Sequence, residues 1–181
     1  MSAAIPIDVH LTEEEVFAAV SVGSRREVKN ISGRVPDLSL RAGVRRDGFT
    51  QQIYGAIGEL AVAKHLGLYW SGVADSALDR APDVFPNIEV RWTSGSRFYC
   101  KGRDPNQSQH GRCRIVWVST REGMVNPVQL LGWQFVSECK RAEWRRPDFH
   151  GSVFEVPFSN ILPMTEWSNH QNSPADGAAY A

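Results

Sequence analysis

Glu59 is the first residue whose setting in the sequence suggests chemistry. It lies within residues 51–66, a segment that is apolar nearly all the way round and predicts a buried helix ended by Gly67. Its neighbours three and four positions away cannot pair with a carboxylate: they are Gly55, Ala56, Val62 and Ala63. A buried carboxylate is costly unless something compensates it, so we expect a metal ion or a basic side chain from elsewhere in the fold. The alternative is a glutamate at the margin of the buried face, with its tip in solvent.

Asp83 and the pair Glu89 and Arg91 form the second candidate group. Residues 88–93 alternate as a strand does, which places Glu89 and Arg91 on one face. Pro86 and Asn87 predict a tight turn, and a hairpin there would bring Asp83 near Glu89. Two converging carboxylates with a third from a helix would make an oxygen-donor site suited to Mg²⁺ or Mn²⁺. The alternative is an exposed hairpin with an ordinary surface ion pair.

Basic residues are concentrated in two stretches, although the 20 basic and 20 acidic residues of the chain cancel. Between residues 91 and 114 the aromatic residues Phe98 and Tyr99 are interleaved with cations, a pattern that suits phosphate contact and base stacking. The loop predicted between residues 32 and 49 is also basic, and Arg41, Arg45 and Arg46 lie in its second half. The candidate nucleic-acid contacts are therefore Arg41, Arg45, Arg46, Arg97, Lys101, Arg103, Arg112 and Arg114. The competing interpretation is an ordinary solvated surface.

Composition narrows the class of protein. A hydrophobic fraction of 42% and a charged fraction of 22% are those of a globular domain, and no apolar run is long enough to span a membrane. The acidic N-terminus does not resemble a secretory signal, and three cysteines are typical of a reducing cytoplasm. We therefore expect a cytoplasmic protein with no membrane partner. Zinc is disfavoured, because Cys100, His110 and Cys113 lack a close cysteine pair and a fourth ligand.

The predicted elements are those of an α+β protein with one mixed sheet. A helix starts after Thr12, which forms a capping-box pattern with Glu15, and the second helix covers residues 51–66. Strands are expected at residues 68–70, 88–93, 114–118, 128–136 and 153–156, and a short helix is expected within 137–146. We divide the chain into an N-terminal helix and basic loop (1–49), a core domain (50–167) and a disordered tail (168–181).

These motifs in this order resemble the PD-(D/E)XK nuclease superfamily. The resemblance rests on the helix with Glu59, on Pro82-Asp83, and on Glu89-x-Arg91 in the following strand. Small phage and bacterial members show similar further motifs: Gly55-x-x-Gly58-Glu59-x-Ala61, IEVR, Gly132-Trp133, and the segment from Val156-Pro157 to Leu162-Pro163. The resemblance covers about residues 12–167. It implies a restriction-endonuclease-like core with a mixed central sheet flanked by helices.

The resemblance also implies a catalytic site made of Glu59, Asp83, Glu89 and Arg91. Asp83 and Glu89 would bind Mg²⁺ or Mn²⁺, Glu59 would be an auxiliary ligand, and the ion would activate water against a phosphodiester. Arg91 departs from the pattern, since the superfamily usually has a lysine there. Arginine stays protonated and places its charge differently, so the site would be slow or degenerate. Lys101 is a candidate for a displaced lysine.

The expected function is accordingly that of a Mg²⁺-dependent deoxyribonuclease, active in the cytoplasm of a bacterial host if phage-encoded. The alternative is a catalytically inactive protein of the same fold that binds nucleic acid or serves as a structural component of a phage assembly. A third interpretation is a self-assembling homo-oligomer with a vestigial site, in which the carboxylates form salt bridges with Arg91.

Overall fold

The computed structural model describes residues 5–33, 48–72, 82–93, 97–108, 111–121, 124–146 and 152–170. The predicted basic loop with Arg41, Arg45 and Arg46 lies outside these residues. Of the predicted tail, Ser168–His170 forms a 3₁₀ turn, and the remainder also lies outside the described residues.

The architecture is α+β, as predicted, with a mixed four-stranded sheet at its centre. The strands of this sheet are β1 (Ile7–Val9), β2 (Ile88–Trp92), β6 (Arg114–Thr120) and β7 (Val128–Phe135), in the order β1-β7-β6-β2. β2 runs parallel to β6, and the other two pairs are antiparallel. β6 is buried along its first five residues because it lies between two strands and is covered on both faces. β2 forms an edge of this sheet.

A second, antiparallel sheet has the order β3-β9-β8 and contains β3 (Phe98–Lys101), β8 (Arg145–Arg146) and β9 (Val153–Val156). β4 (Gln107–Ser108) and β5 (Gly111–Arg112) form a short hairpin. Helices α1 (Glu13–Ser32) and α2 (Gly48–Leu66) pack on each other, and a short helix α3 (Val136–Cys139) follows β7.

Two apolar clusters place the central sheet between the helices and the second sheet. Val116 and Val118 of β6 belong to the cluster that includes Ala56, Ile57 and Val62 of α2. Ile115 and Trp117, which alternate with them, belong to the cluster that includes Phe98 and Phe154 of the second sheet. Within the described residues, no helix is long and apolar enough to cross a membrane.

Close approach of backbones in the helical layer depends on two glycines. A Cβ at Gly23 of α1 would lie 2.5 Å from the Cα of Ile53 in α2. A Cβ at Gly58 of α2 would lie 2.6 Å from a methyl of Val118 in β6. α2 is therefore fixed between α1 and the sheet at distances that only glycine allows.

Most of the predicted elements are present with small changes of boundary. Thr12 and Glu15 form the capping box, and α2 starts at Gly48 and ends before Gly67, whose φ of 65° is left-handed. Two predictions are wrong: residues 68–70 form no strand, and residues 137–146 are helical only in part, since Arg145–Arg146 pairs with β9. β3 was missed because residues 94–109 are polar and its four residues alternate too briefly to stand out.

Candidate functional site

Glu59 is buried in the structure and is paired with Arg26 of α1. Its side chain is 5% exposed, and the two Nη atoms of Arg26 donate to its two oxygens at 2.6 and 2.8 Å. Trp70 Nε1 donates to the second oxygen at 3.1 Å. Of the two expected means of compensating the buried charge of Glu59, a metal ion or a basic side chain, the structure shows a basic side chain. The interpretation that the tip of Glu59 reaches solvent is wrong. Arg26 was missed because it lies on another helix, 33 residues away in sequence.

The pKa values of this pair reflect its burial. Desolvation raises the pKa of Glu59 against the hydrogen bonds and charge of Arg26, and the negative charge of Asp83 adds to the rise. Desolvation lowers the pKa of Arg26, but Glu59 and Asp83 outweigh it, so the net shift is upward. Arg26 thus remains charged, and Glu59 depends on it for its own charge.

The predicted hairpin is present around residues 84–88. Val84 and Ile88 form an antiparallel bridge with reciprocal backbone hydrogen bonds of 3.0 Å, and residues 85–87 turn between them. Asn87 Nδ2 donates to the carbonyl of Arg112 at 2.8 Å, which ties the turn to the neighbouring hairpin. Asp83 Oδ2 accepts the backbone N–H of Val90 at 2.8 Å. The turn therefore holds the carboxylate of Asp83 beside β2.

Arg91 is the point at which three carboxylates meet. Its Nη1 donates to Asp83 at 3.2 Å, and its Nη2 donates to Glu89 at 3.1 Å and to Asp104 at 2.5 Å. Asp104 follows β3, and its side chain is 3% exposed. Sequence reasoning missed Asp104 as a site residue. The one signal for it is that it is the only acidic residue between Arg91 and Arg114.

The three carboxylates share the single guanidinium of Arg91. Burial raises the pKa of Glu89 to about 7, and the charge of Asp83 contributes to that rise, while Arg91 opposes it. The negative charge of Asp83 also raises the pKa of Glu59, so Asp83 interacts with both the Arg91 group and the Arg26–Glu59 pair. Perturbed carboxyl groups in such proximity are typical of functional sites, and they favour the arrival of a further cation.

Lys101 adds a titratable amine to the same region. The residue is exposed overall, but protein atoms crowd its ammonium group, and this desolvation together with the charges of Arg91 and Arg103 lowers its pKa to about 8. Asp104 and Asp83 oppose this shift. Lys101 can therefore exchange a proton close to neutral pH.

The oxygen atoms of Asp83, Glu89 and Glu59 are ligands of the kind that Mg²⁺ and Mn²⁺ prefer. In this structure, however, arginine side chains occupy these oxygens. Within the described part of the chain, no group of three or more His, Cys, Asp or Glu side chains is arranged to hold a metal ion. The guanidinium of Arg91 bridges Asp83 and Glu89, and both oxygens of Glu59 accept from Arg26. A divalent ion at Asp83 and Glu89 therefore requires Arg91 to move, and Glu59 can join it only by giving up Arg26.

The predicted nucleic-acid contacts are dispersed over the fold. Lys101 and Arg103 are exposed near the carboxylates, and Arg97 is exposed with Glu155 at 3.8 Å and the hydroxyl of Tyr99 at 3.4 Å. Arg112 stacks on Phe135 at 3.7 Å and pairs with Glu138.

Arg114 is an unsuitable nucleic-acid contact in this structure. It is 6% exposed, and its guanidinium lies 5.2–5.9 Å from the rings of Trp133, Phe135 and Trp167. The prediction that Arg114 contacts nucleic acid fails because Arg114 begins the central strand β6, where aromatic side chains cover it.

Comparisons of the chain with protein-family models, with curated proteins and with solved structures found no match.

Proposed function

We propose that this protein is a metal-dependent nuclease-like protein that acts on DNA phosphodiesters, built on a restriction-endonuclease-like core. The proposal combines the resemblance of the sequence motifs with the way the described residues converge. Asp83 and Glu89 lie beside each other at the sheet edge, and Glu59 lies on the adjacent helix.

The observation that carries the proposal is the surplus of carboxylates at Arg91. Asp83, Glu89 and Asp104 share one guanidinium, and burial together with the charge of Asp83 raises the pKa of Glu89. A purely structural ion pair needs one carboxylate. Three carboxylates around one arginine suit a site that binds or exchanges cations.

Each residue has a role in this proposal. Asp83 and Glu89 would hold Mg²⁺ or Mn²⁺, which would polarise the phosphodiester and lower the pKa of water. Arg91 stays charged and can neutralise a phosphate oxygen once it leaves the carboxylates. Lys101, with its pKa of about 8, can take or return a proton. Glu59 and Arg26 fix α2 and α1 behind Asp83.

The test is a DNA-cleavage assay with Mg²⁺ and with Mn²⁺. Asp83→Asn and Glu89→Gln should abolish cleavage while thermal unfolding shows an intact fold. The matched control is Asp8→Asn, since Asp8 is a partly exposed carboxylate on β1, at the opposite edge of the central sheet. Cleavage that persists in Asp83→Asn, or that is absent from the wild type with both ions, would refute the proposal.

The second candidate is a catalytically inactive protein of the same fold that binds nucleic acid or serves in an assembly. The engagement of all three carboxylates by Arg91, with no metal-holding group among the described residues, favours it. This candidate predicts DNA binding in EDTA that Asp83→Asn leaves unchanged. Filter-binding measurements in EDTA and in Mn²⁺ separate the two candidates.

A further inference from the structure

Helix α1 carries apolar side chains on two opposite faces. The inner face, which includes the buried Ala19 and Gly23, packs on α2. On the outer face, Phe17, Val28 and Ile31 are 74%, 53% and 60% exposed. Phe17 and Ala19 are separated by about 200° around the helix axis, so the two faces point away from each other. The outer face of a helix that covers a core is normally polar, and large exposed apolar side chains there indicate an interaction surface.

The outer face has the spacing of a helix-pairing seam. Phe17, Ser21, Ser24, Val28 and Ile31, called here the outer seam of α1, follow one another at intervals of four, three, four and three residues. This is the a/d repeat at which two α-helices pack side by side along their lengths. The serines at its centre are small and let a second helix approach closely. The hydroxyl of Ser21 already donates to the carbonyl of Phe17 at 2.8 Å, so its burial would leave this donor satisfied. The occupant that fits the outer seam is therefore another helix.

The charges of α1 indicate which helix that is. Its first turn carries Glu13, Glu14 and Glu15, whereas the exposed Arg25 and Lys29 lie in its second half. Parallel pairing of two copies of α1 would place like charges side by side. Antiparallel pairing places the acidic start of each copy beside the basic end of the other, and it also opposes the two helix dipoles. α1 is therefore complementary to a second copy of itself in the antiparallel direction.

We propose that the outer seam of α1 is the interface of a homodimer, in which two copies of α1 pair antiparallel about a two-fold axis at Ser21 and Ser24. Phe17 of each copy then packs beside Val28 of the other, because a two-fold interface repeats each contact. The proposal is independent of the proposed nuclease function, since the outer seam contains none of the residues assigned to cleavage.

Sedimentation velocity of the full chain between about 1 and 100 µM tests the interface, and we expect a monomer–dimer equilibrium in the wild type. Phe17→Glu should raise the dimer dissociation constant about a hundredfold or more, because each dimer loses two buried rings. Val28→Ser is the milder second variant and should raise it about tenfold. Circular dichroism should show an unchanged fold in both variants, since Phe17 and Val28 are more than half exposed in the monomer.

The matched control is Phe158→Glu, which makes the same substitution on the other side of the central sheet. Phe158 is 46% exposed, and its ring lies 5.6 Å from that of Phe98 in the second sheet. This variant should leave the dimer dissociation constant within about twofold of the wild-type value.

Disulfide cross-linking under mild oxidation tests the antiparallel direction. In the proposed dimer, residue 14 of one copy lies level with residue 31 of the other, whereas the two copies of residue 31 lie about 25 Å apart along the axis. The double variant Glu14→Cys/Ile31→Cys should therefore form a covalent dimer, and each single variant should not. The three native cysteines are buried and do not interfere.

Four results would overturn the proposal. They are a wild type that stays monomeric at all concentrations, a dimer that Phe17→Glu leaves intact, a dimer that Phe158→Glu weakens as much as Phe17→Glu does, and cross-linking by Ile31→Cys alone or by neither double nor single variants.

Discussion

The ion pair between Arg26 and Glu59 leads to a quantitative prediction about stability. Arg26→Met leaves the carboxyl of Glu59 buried without its two shortest hydrogen bonds, and Trp70 is then its one donor among the described residues. Removal of one partner from a buried pair costs about 3–5 kcal/mol. For a chain of this size each kcal/mol lowers the melting temperature by roughly 2–4 °C, so we expect a loss of about 6–20 °C at pH 7 to 8.

The loss in Arg26→Met should depend on pH in a defined direction. Without Arg26 the pKa of Glu59 in the folded protein rises further above its unfolded value, so the folded state binds a proton that the unfolded state releases. Stability is then retained near pH 4.5 and is lost as pH rises through the folded pKa. Glu59→Gln should show no such recovery at low pH, because the stranded Arg26 stays charged.

The assay is urea denaturation of wild type, Arg26→Met, Glu59→Leu and the double variant. The double variant should recover much of the loss, since neither charge then remains buried alone. Lys64→Met is the matched control: Lys64 pairs with Glu15 at the same distance of 2.6 Å, but the two side chains are 37% and 31% exposed. It should cost at most about 1 kcal/mol. A loss below about 1 kcal/mol in Arg26→Met, or additive losses in the double variant, would refute the reasoning.

Three further predictions concern other parts of the fold. Because the pKa of Glu89 is raised to about 7, protonated Glu89 stabilises the folded protein below pH 4.5, and this stabilisation is lost as pH rises to 7. The free energy of unfolding should therefore fall by up to about 3 kcal/mol over this range in urea titrations in EDTA. Glu89→Gln should flatten the fall. A fall of equal size in the variant would contradict the assignment. Gly55→Ala should stabilise α2 by about 0.5–1 kcal/mol because a Cβ there meets nothing within 4 Å, whereas Gly23→Ala should destabilise because it meets the backbone of α2. If Gly55→Ala and Gly23→Ala shift the melting temperature in the same direction, the close contact described between α1 and α2 at Gly23 is wrong. Arg91→Lys should raise the rate of DNA cleavage with Mn²⁺, since lysine cannot bridge two carboxylates as a planar fork; an unchanged or lower rate would show that Arg91 does not slow the site.

Local patterns were sufficient to predict the elements that carry the site. The capping box of Thr12 and Glu15, the end of α2 before Gly67 and the alternation in β2 depend on residues a few positions apart. Interactions at that range are legible in the sequence, because helix and strand geometry fix the spacing of their side chains. The short strand β3 was not predictable in this way, since its partner β9 lies far along the chain. The strand at Arg145–Arg146 was missed because two residues are too few to show an alternating pattern.

The sequence alone predicted that a buried Glu59 needs a metal ion or a basic side chain, and that a hairpin would bring Asp83 near Glu89, which shares a strand face with Arg91. Only the tertiary structure decided which partners they have: Arg26 for Glu59, and Asp104 as the third carboxylate on Arg91. The physical reason is that burial creates a demand for compensating charge that can be inferred from local composition, whereas the group that meets it is chosen by the packing of distant elements. Packing of α1 on α2 brings Arg26 to Glu59. Packing of the turn after β3 beside β2 brings Asp104 to Arg91.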